Sequence, residues 1–422
     1  MRRALYWFRN DLRINDNEGF AKAVNENDEV LPIFILDDQW FSKDQFGIEK
    51  MGAMRLKFLL ESLADLKDQL QKIGSDLRIL KGDSVGVLIK TYREFDCACL
   101  YAQKASSFNE TQEEIKLSEQ LTTDFIWGET LFHLDDLPME IEELPDVFTQ
   151  FRNPVEKKSK VRPLIESPES AKTPEGFGSS LPTLEELGLE TPKKDPRSPM
   201  PFEGGANAAH ERLQYYLWDK ELLTNYKNTR NGLLGSDFSS HFSPWLANGS
   251  ISAKEIYWQI VKYEKYVVKN SSTYWLIFEL LWRDYFHFVA LKNGKKIFLR
   301  TGITGEDKIE WKSDKHFGLW ANGKTKESFI DANMHELNAT GFMSNRGRQI
   351  VASYLIHQMN IDWRMGAAYF EKMLIDYDPC SNYGNWAYIA GVGTDPRGGR
   401  EFNIARQKET YDPKGEYQAY WN

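Results

Sequence analysis

Cysteine is scarce in this 422-residue chain, with only Cys97, Cys99 and Cys380. Three cysteines supply neither a disulfide framework nor a Cys-rich zinc site. Cys97 and Cys99 fall in an apolar strand-like run, where i,i+2 spacing predicts both on one face. No apolar stretch approaches the length of a bilayer span. After Met1 the chain enters "RRALYWFRNDLR" at once, without an apolar leader followed by a small-residue cleavage pattern, and this reads as a reducing, cytoplasmic setting. No GxGxxG follows the first apolar run, which argues against a dinucleotide-binding dehydrogenase. Neither half carries an internal repeat.

Aromatic residues are plentiful: 13 Trp, 19 Tyr and 25 Phe can fill cores or line a cleft for a planar ligand. The net charge of -9 is unevenly spread, with -12 in residues 1–150 and +3 in the remainder. Acidity is therefore local, and a DNA-facing surface on the second half stays open beside plain solubility. The length allows two cores.

Residues 1–135 alternate short apolar runs with helical patterns, starting from "ALYWF" at 4–8 and "EVLPIFILD" at 29–37. Leu56, Leu59, Leu60, Leu63, Leu66 and Leu70 give a helix with one apolar face and Gly74 at its end. With "DLRILKG", "FDCACLYAQ" and "DFIWGE" as further strands, the pattern predicts an α/β domain on an open parallel sheet covered on both faces. Residues 136–205, rich in Pro, Gly and Ser, read as a connector wrapped in part around the body, with flexible linkage as the other reading. Its basic run "EKKSKVR" at 156–162 is a solvated face or a peripheral phosphate contact. Helix-length patterns dominate residues 206–422, predicting an all-helical second domain.

Two constellations in that second half carry chemistry. In "STYWLIFELLWRDYFHF", Trp275, Glu279 and Arg283 follow one another at i,i+4, with Trp282 beside them. A carboxylate and a guanidinium within an aromatic helix form either a structural ion pair or a ligand site, since neither charge is tolerated there alone. Further on, Asn345, Arg348 and Gln349 share a helix face, Trp363 starts the next helix, and Asp376, Asp378, Asn382 and Trp386 surround a helix end. Helix capping explains any one of these, and they do not form a clear metal-ligand set.

Together with "TRNGLLGSDFSSHFSPWLANGSIS", these segments resemble the photolyase and cryptochrome family, in its DASH cryptochrome branch of single-stranded DNA photolyase type. The likeness runs from "WFRNDLRINDN" through "DANMHELNATGFMSNRGRQIVASYL" and "IDWRMGAAYFEKMLIDYDPCSNYGNWAY" to "YDPKGEYQAYW". The resemblance implies an N-terminal α/β antenna-type domain joined to a helical domain that holds FAD in a folded conformation. Carried over position by position, it places Tyr226, Ser239, Ser240, Phe242 and Ser243 around the FAD phosphates and ribitol. Arg283, Arg348, Asp376, Asp378 and Asn382 complete the cofactor site, with Asn382 facing flavin N5. His241 stands where the branch often has lysine.

The resemblance further implies an electron-transfer chain from Trp386 through Trp363 to Trp311, and a lesion cavity formed by Glu279, Trp282, Asn345, Gln349 and Tyr388. The implied activity is blue-light-driven repair of cyclobutane pyrimidine dimers, preferentially in single-stranded or locally opened DNA. A blue-light photoreceptor with little or no repair is the alternative. The short end at "EYQAYWN" gives no signalling tail, which favours repair. A methenyltetrahydrofolate antenna is also implied, although Ala105 stands where an acidic pterin contact is expected. Lys326 and Ser328 replace a usual glycine and proline before a FAD-binding helix, so that loop need not keep the family shape.

Overall fold

The computed structural model describes residues 1–306 and 314–422. The first half is built on β1 (Arg3–Phe8), β2 (Glu29–Asp37), β3 (Arg78–Gly82), β4 (Cys99–Gln103) and β5 (Thr123–Ile126). All pair in parallel, in the order β3-β2-β1-β4-β5. The helices α1 (Glu18–Glu26), α2 (Ala53–Lys72), α3 (Ser84–Glu94) and α4 (Phe108–Ser118) make the crossovers, as parallel strands require. Every residue of β2 is buried, the mark of a strand covered on both faces. Pro32 is tolerated in this inner strand because the β3 ladder begins only at Ile33, so no hydrogen bond on that side is lost. Helix α2 buries Leu56, Leu63, Leu66 and Leu70, while Leu59 and Leu60 lie only partly covered at the edge of the same face.

The cysteine expectation needs correction. β4 begins at Cys99; Cys97 follows a turn at Asp96, whose φ is 51°, and Ala98 between the cysteines is a bend. Cys99 packs with Tyr6 and Phe8, whereas Cys97 packs with Leu5 and Trp7 on the opposite face. The i,i+2 rule fails because the chain is not extended between the two.

The connector is packed rather than loose. It contains α5 (Phe148–Lys158) and then runs extended along the sheet half, with Ala171 N–H donating to Ile73 O and Val30 N–H to Lys172 O, both at 2.8 Å. Ala171, Leu184 and Leu187 complete the apolar layer over α2, which leaves no energetic freedom for a floppy linker.

Beyond residue 205 come α6 (Ala206–Gln214), α7 (Tyr226–Thr229), α8 (Ser243–Ala247), α9 (Ala253–Tyr266), α10 (Ser271–Asn293), α11 (Phe317–Ala321) and α12 (Ser328–Thr340). They are followed by α13 (Asn345–Ser353), α14 (Trp363–Met373), α15 (Pro379–Ala390), α16 (Ile404–Tyr411) and α17 (Glu416–Trp421). Asn270 caps α10 by accepting from Ser272 N–H at 2.7 Å and Thr273 N–H at 3.1 Å. Before α12, Lys326 has a φ of 72°, so the loop enters the left-handed region that glycine favours even without glycine. Ser328 takes the first helical position, where proline is preferred.

The two halves meet at the carboxyl end of β1. There Leu12 N–H donates to Asn248 O at 3.1 Å and Arg13 Nη1 to Gly249 O at 2.9 Å. Ser252 Oγ donates to Asp16 Oδ2 at 2.6 Å, and Lys254 pairs with Asp16 at 2.8 Å. Gly249 has a φ of 73°, and a Cβ there would lie 2.0 Å from Asn10 O, so both conformation and space demand glycine.

Candidate functional site

A cavity of about 440 Å³ opens between α7, the turn into α8, α10, α13 and α15. It brings together Tyr226, Ser239, Ser240, Phe242, Ser243, Glu279, Trp282, Arg283, Asn345, Arg348, Gln349, Asp376, Asp378 and Tyr388. Asn382 and Trp386 line an adjoining hollow of about 120 Å³, which shares Arg348, Asp376 and Asp378 with the larger space. Trp363 is fully buried away from these walls and donates through Nε1 to Arg300 O at 3.0 Å. Trp311 lies outside the described residues.

The serine-rich wall is shaped by a buried cation. Arg212, on α6, donates to Ser236 O at 2.7 Å and to Ser239 O and Ser240 O at 2.9 Å. Its guanidinium thus spends its donors on turn carbonyls, leaving the hydroxyls of Ser239, Ser240 and Ser243 for the cavity. Within this turn His241 has a φ of 57°, and its ring contacts Ser239 O through Nδ1 at 2.8 Å. Burial pushes its pKa down to about 4, so at neutral pH the ring is uncharged. Its Nε2 is buried without a partner.

The opposite wall is charged but paired. Arg348 grips Asp376 with two hydrogen bonds of 3.0 and 2.8 Å, and its Nε donates to Met343 O at 2.8 Å. Such a fork fixes both side chains in one plane. Asp378 caps α15, accepting from Ser381 N–H at 2.6 Å, and Asn382 donates through Nδ2 to Ala367 O at 2.9 Å. That bond orients the amide and leaves its oxygen without a contact of this kind.

At the mouth, Glu279 forms an ion pair of 2.8 Å with Arg230. Burial raises the Glu279 pKa, and Arg230 only partly opposes this. Trp282 stacks on Phe148 of α5 at 3.7 Å between centroids, with 13° between the planes, and meets Tyr388 edge-on at 6.1 Å. Arg400 holds Tyr388, donating to its hydroxyl and lying 4.8 Å from the ring centre. Trp386 packs against Phe370 at 5.1 Å and Trp320 at 6.1 Å.

Arg212, Arg230, Arg400 and Trp320 were not anticipated. Arg212 alone left a signal, since it shares a helix face with Ala209, Leu213 and Tyr216, all buried. A charge on an apolar face must find buried acceptors.

Comparison with known proteins agrees with this geometry. A family profile described as DNA photolyase matches residues 4–174, and one described as FAD binding domain of DNA photolyase matches residues 275–422. Cryptochrome DASH of Gloeobacter violaceus is 46% identical over 99% of this chain and 85% of its own length. Cryptochrome DASH of Solanum lycopersicum, a chloroplastic/mitochondrial protein, is 45% identical over 99% of this chain and 76% of its own length. The crystal structure of a Synechocystis cryptochrome superposes with a TM-score of 0.95 at 42% identity, covering 100% of this chain and 88% of that one. A class III photolyase from Agrobacterium tumefaciens gives 0.82 at 25% identity, covering 100% and 86%. The fold and cavity are those of a photolyase-like flavoprotein. This chain belongs to the photolyase and cryptochrome family, within its cryptochrome DASH branch.

The donor set suits FAD. Hydroxyls line one wall and the Arg348–Asp376 fork the other, while Phe242, Leu276, Leu280 and Ile389 supply apolar surface between them. This division of polar ends and apolar walls is what an elongated, amphipathic cofactor needs.

Proposed function

We propose that the protein is a FAD-dependent deoxyribodipyrimidine photolyase that repairs cyclobutane pyrimidine dimers under blue light, preferentially in single-stranded or locally opened DNA. The observation that carries this reading is that one cavity joins the FAD-type donor set to Glu279, Trp282, Asn345, Gln349 and Tyr388. FAD, when bound, supplies the light-excited electron donor.

The chain's own residues do the rest. Ser239, Ser240, Ser243 and Tyr226 hold the phosphate and ribitol region, while Arg348, Asp376, Asp378 and Asn382 hold the ring. Glu279, paired with Arg230 at the mouth of the cavity, presents a carboxyl group suited to hydrogen-bond a pyrimidine. Trp282 and Tyr388 offer flat surfaces to an extruded lesion, and Gln349 a polar one. Extruding bases from stable duplex costs a few kcal/mol, which a polar cavity offsets less well, and this is the basis for the single-strand preference. Trp386, Trp363 and Trp311 form the route by which electrons reach the site.

The same reading keeps residues 1–135, 136–205 and 206–422 as antenna-type domain, connector and FAD-binding domain, supported by the end of the sheet at Ile126 and the start of α6 at Ala206. A methenyltetrahydrofolate antenna is its accessory part, open to test by extracting the bound chromophores. Three free, buried cysteines support a reducing, cytoplasmic setting. Among the described residues, no helix is long and apolar enough to cross a membrane.

The test is quantitative recovery of intact pyrimidines from matched single-stranded and duplex substrates carrying one defined dimer, under blue light and in darkness. Reduced, FAD-loaded protein is expected to restore the single strand faster. No light-dependent restoration on either substrate, despite measurable DNA binding, overturns the repair reading and favours a photoreceptor.

A further inference from the structure

Behind the cavity wall, four polar side chains from both halves of the protein form a continuous buried row. Ser106 follows β4, Glu129 follows β5, His287 lies on α10 and Asp378 caps α15. Ser106 Oγ donates to Glu129 Oε2 at 2.7 Å and lies 2.7 Å from His287 Nδ1. With its own hydrogen committed to Glu129, the serine accepts from Nδ1–H. The carboxylate of Glu129 is itself 3.3 Å from Nδ1, and Asp378 Oδ2 is 3.6 Å from Nε2. His287 has no exposed surface, and its Nε2 makes no hydrogen bond, only this longer ion-pair contact.

An imidazole placed between two carboxylates in a dry site is a cation by arrangement. Burial lowers its pKa, but Glu129 and Asp378 outweigh that and leave it raised. Burial likewise favours protonation of Glu129, yet His287 reverses this and brings the carboxyl down to about 2. The other groups facing the imidazole are Arg283 and Asp284 on its own helix and Cys380 on α15. Arg283 Nη1 donates to Glu129 O at 2.6 Å, and both Asp284 oxygens accept from Leu131 and Phe132 N–H at 2.9 Å. Burial holds the Cys380 thiol well above its ordinary pKa, and Ser106 Oγ contacts it at 3.3 Å. A neutral thiol beside an imidazolium is a poor metal-ligand set.

We propose that His287 is a positioning residue that places a buried positive charge beside Asp378 at the cavity wall and, through its field, sets the reduction equilibrium of flavin bound there. This rests on the FAD reading. Asp378 is the member of the row that reaches the cavity. Arg283 and His287 are the two cations set against the carboxylates of Glu129, Asp284 and Asp378, and they hold down the negative charge that an incoming electron meets. Without the imidazolium, Arg283, whose Nη1 is held on Glu129 O, is the one cation left beside these carboxylates. That excess negative charge disfavours reduction of anything bound beside Asp378. A unit charge acting across about 10 Å of protein changes such an equilibrium roughly tenfold.

The experiment compares His287→Gln with His287→Arg, which keeps the positive charge. Each variant is loaded with FAD, its occupancy is quantified, and the ratio of reduced to oxidised flavin is read spectrally at fixed applied potentials. His287→Gln is expected to move that ratio about tenfold toward oxidised flavin, and His287→Arg to restore most of it. A wild-type ratio in His287→Gln, or equal shifts in both variants at equal occupancy, overturns the proposal. If His287→Gln does not fold, ¹⁵N NMR of histidine-labelled wild-type protein without flavin decides the charge. Both His287 nitrogens are expected to stay protonated at pH 7.5, and a neutral tautomer overturns the proposal. Folded wild-type protein that binds no FAD defeats the flavin reading instead, leaving the NMR result to stand for His287.

Discussion

Replacing Glu336 by Gln should make the protein more stable at neutral pH. Glu336 lies on α12 with 2% of its surface exposed, and the Tyr417 hydroxyl of the terminal helix donates to its Oε2 at 2.7 Å. Burial raises its pKa to about 8, against opposition from Tyr417 and Arg348. In the unfolded chain the same carboxyl titrates near 4.5. Below that pH both states are protonated and the folded state keeps its full stability. As pH rises from 4.5 toward 8, only the unfolded state ionises, and stability is lost by about 1.4 kcal/mol per pH unit. At pH 7 the loss reaches about 3 kcal/mol. Glutamine keeps the shape and the acceptor for Tyr417 but cannot ionise. Urea unfolding of the flavin-free protein at pH 5, 6, 7 and 8, followed by two probes to check cooperativity, should give a gap of about 1 kcal/mol or less at pH 5. The gap should widen in favour of Glu336→Gln as pH rises. Parallel pH profiles, or a variant less stable than wild type at pH 7, would refute the reasoning.

His241 should produce the opposite slope. Its pKa of about 4 lies below the ordinary histidine value, so its contribution is intact above pH 6.5 and is lost as pH falls toward 4. The loss is about 2 kcal/mol at pH 5, and His241→Gln should flatten it in the same unfolding series. Because pyrophosphate near the ring would draw a proton onto it, FAD affinity should instead strengthen as pH falls from 7 to 5, and calorimetry on the Gln variant should show no such gain. Trp386→Phe should slow light-driven flavin reduction strongly while retaining FAD, at a packing cost of about 1–2 kcal/mol. Unchanged transient-absorption kinetics would place the electron route elsewhere, with Trp320, whose ring lies 6.1 Å from that of Trp386, as another indole in contact.

The residues that meet in the cavity were largely legible because the segments carrying them are long and ordered along the chain. The strands were legible because buried parallel strands are continuous apolar runs, as in β2. What escaped was of another kind. Arg212 and Arg230 take their meaning from acceptors 24 to 49 residues away, and no local period encodes such a partner. Cys97 and Cys99 mislead because the chain bends at Ala98, between them, and this breaks the alternation that the spacing assumes. The row from Glu129 to Asp378 joins four separate elements, and neither His287 nor Glu129 belongs to a pattern until the fold brings them together.

In open parallel sheets the crevice between the central strands, here at the carboxyl ends of β1 and β4, is where a ligand ordinarily sits. In this protein that crevice is occupied by the protein itself. Asn10 and Gly249 are in backbone contact on one side, and Ser106 reaches His287 on the other. The sheet has exchanged a binding position for a joint, and the joint stands directly behind the wall of the cavity in the other half. Loosening either loop would therefore be felt as a change in cavity shape before it was felt as separation of the halves. Insertions at the β1 and β4 ends, harmless in many folds of this class, should be poorly tolerated here, and sequence variation should be pushed to the opposite rim of the sheet.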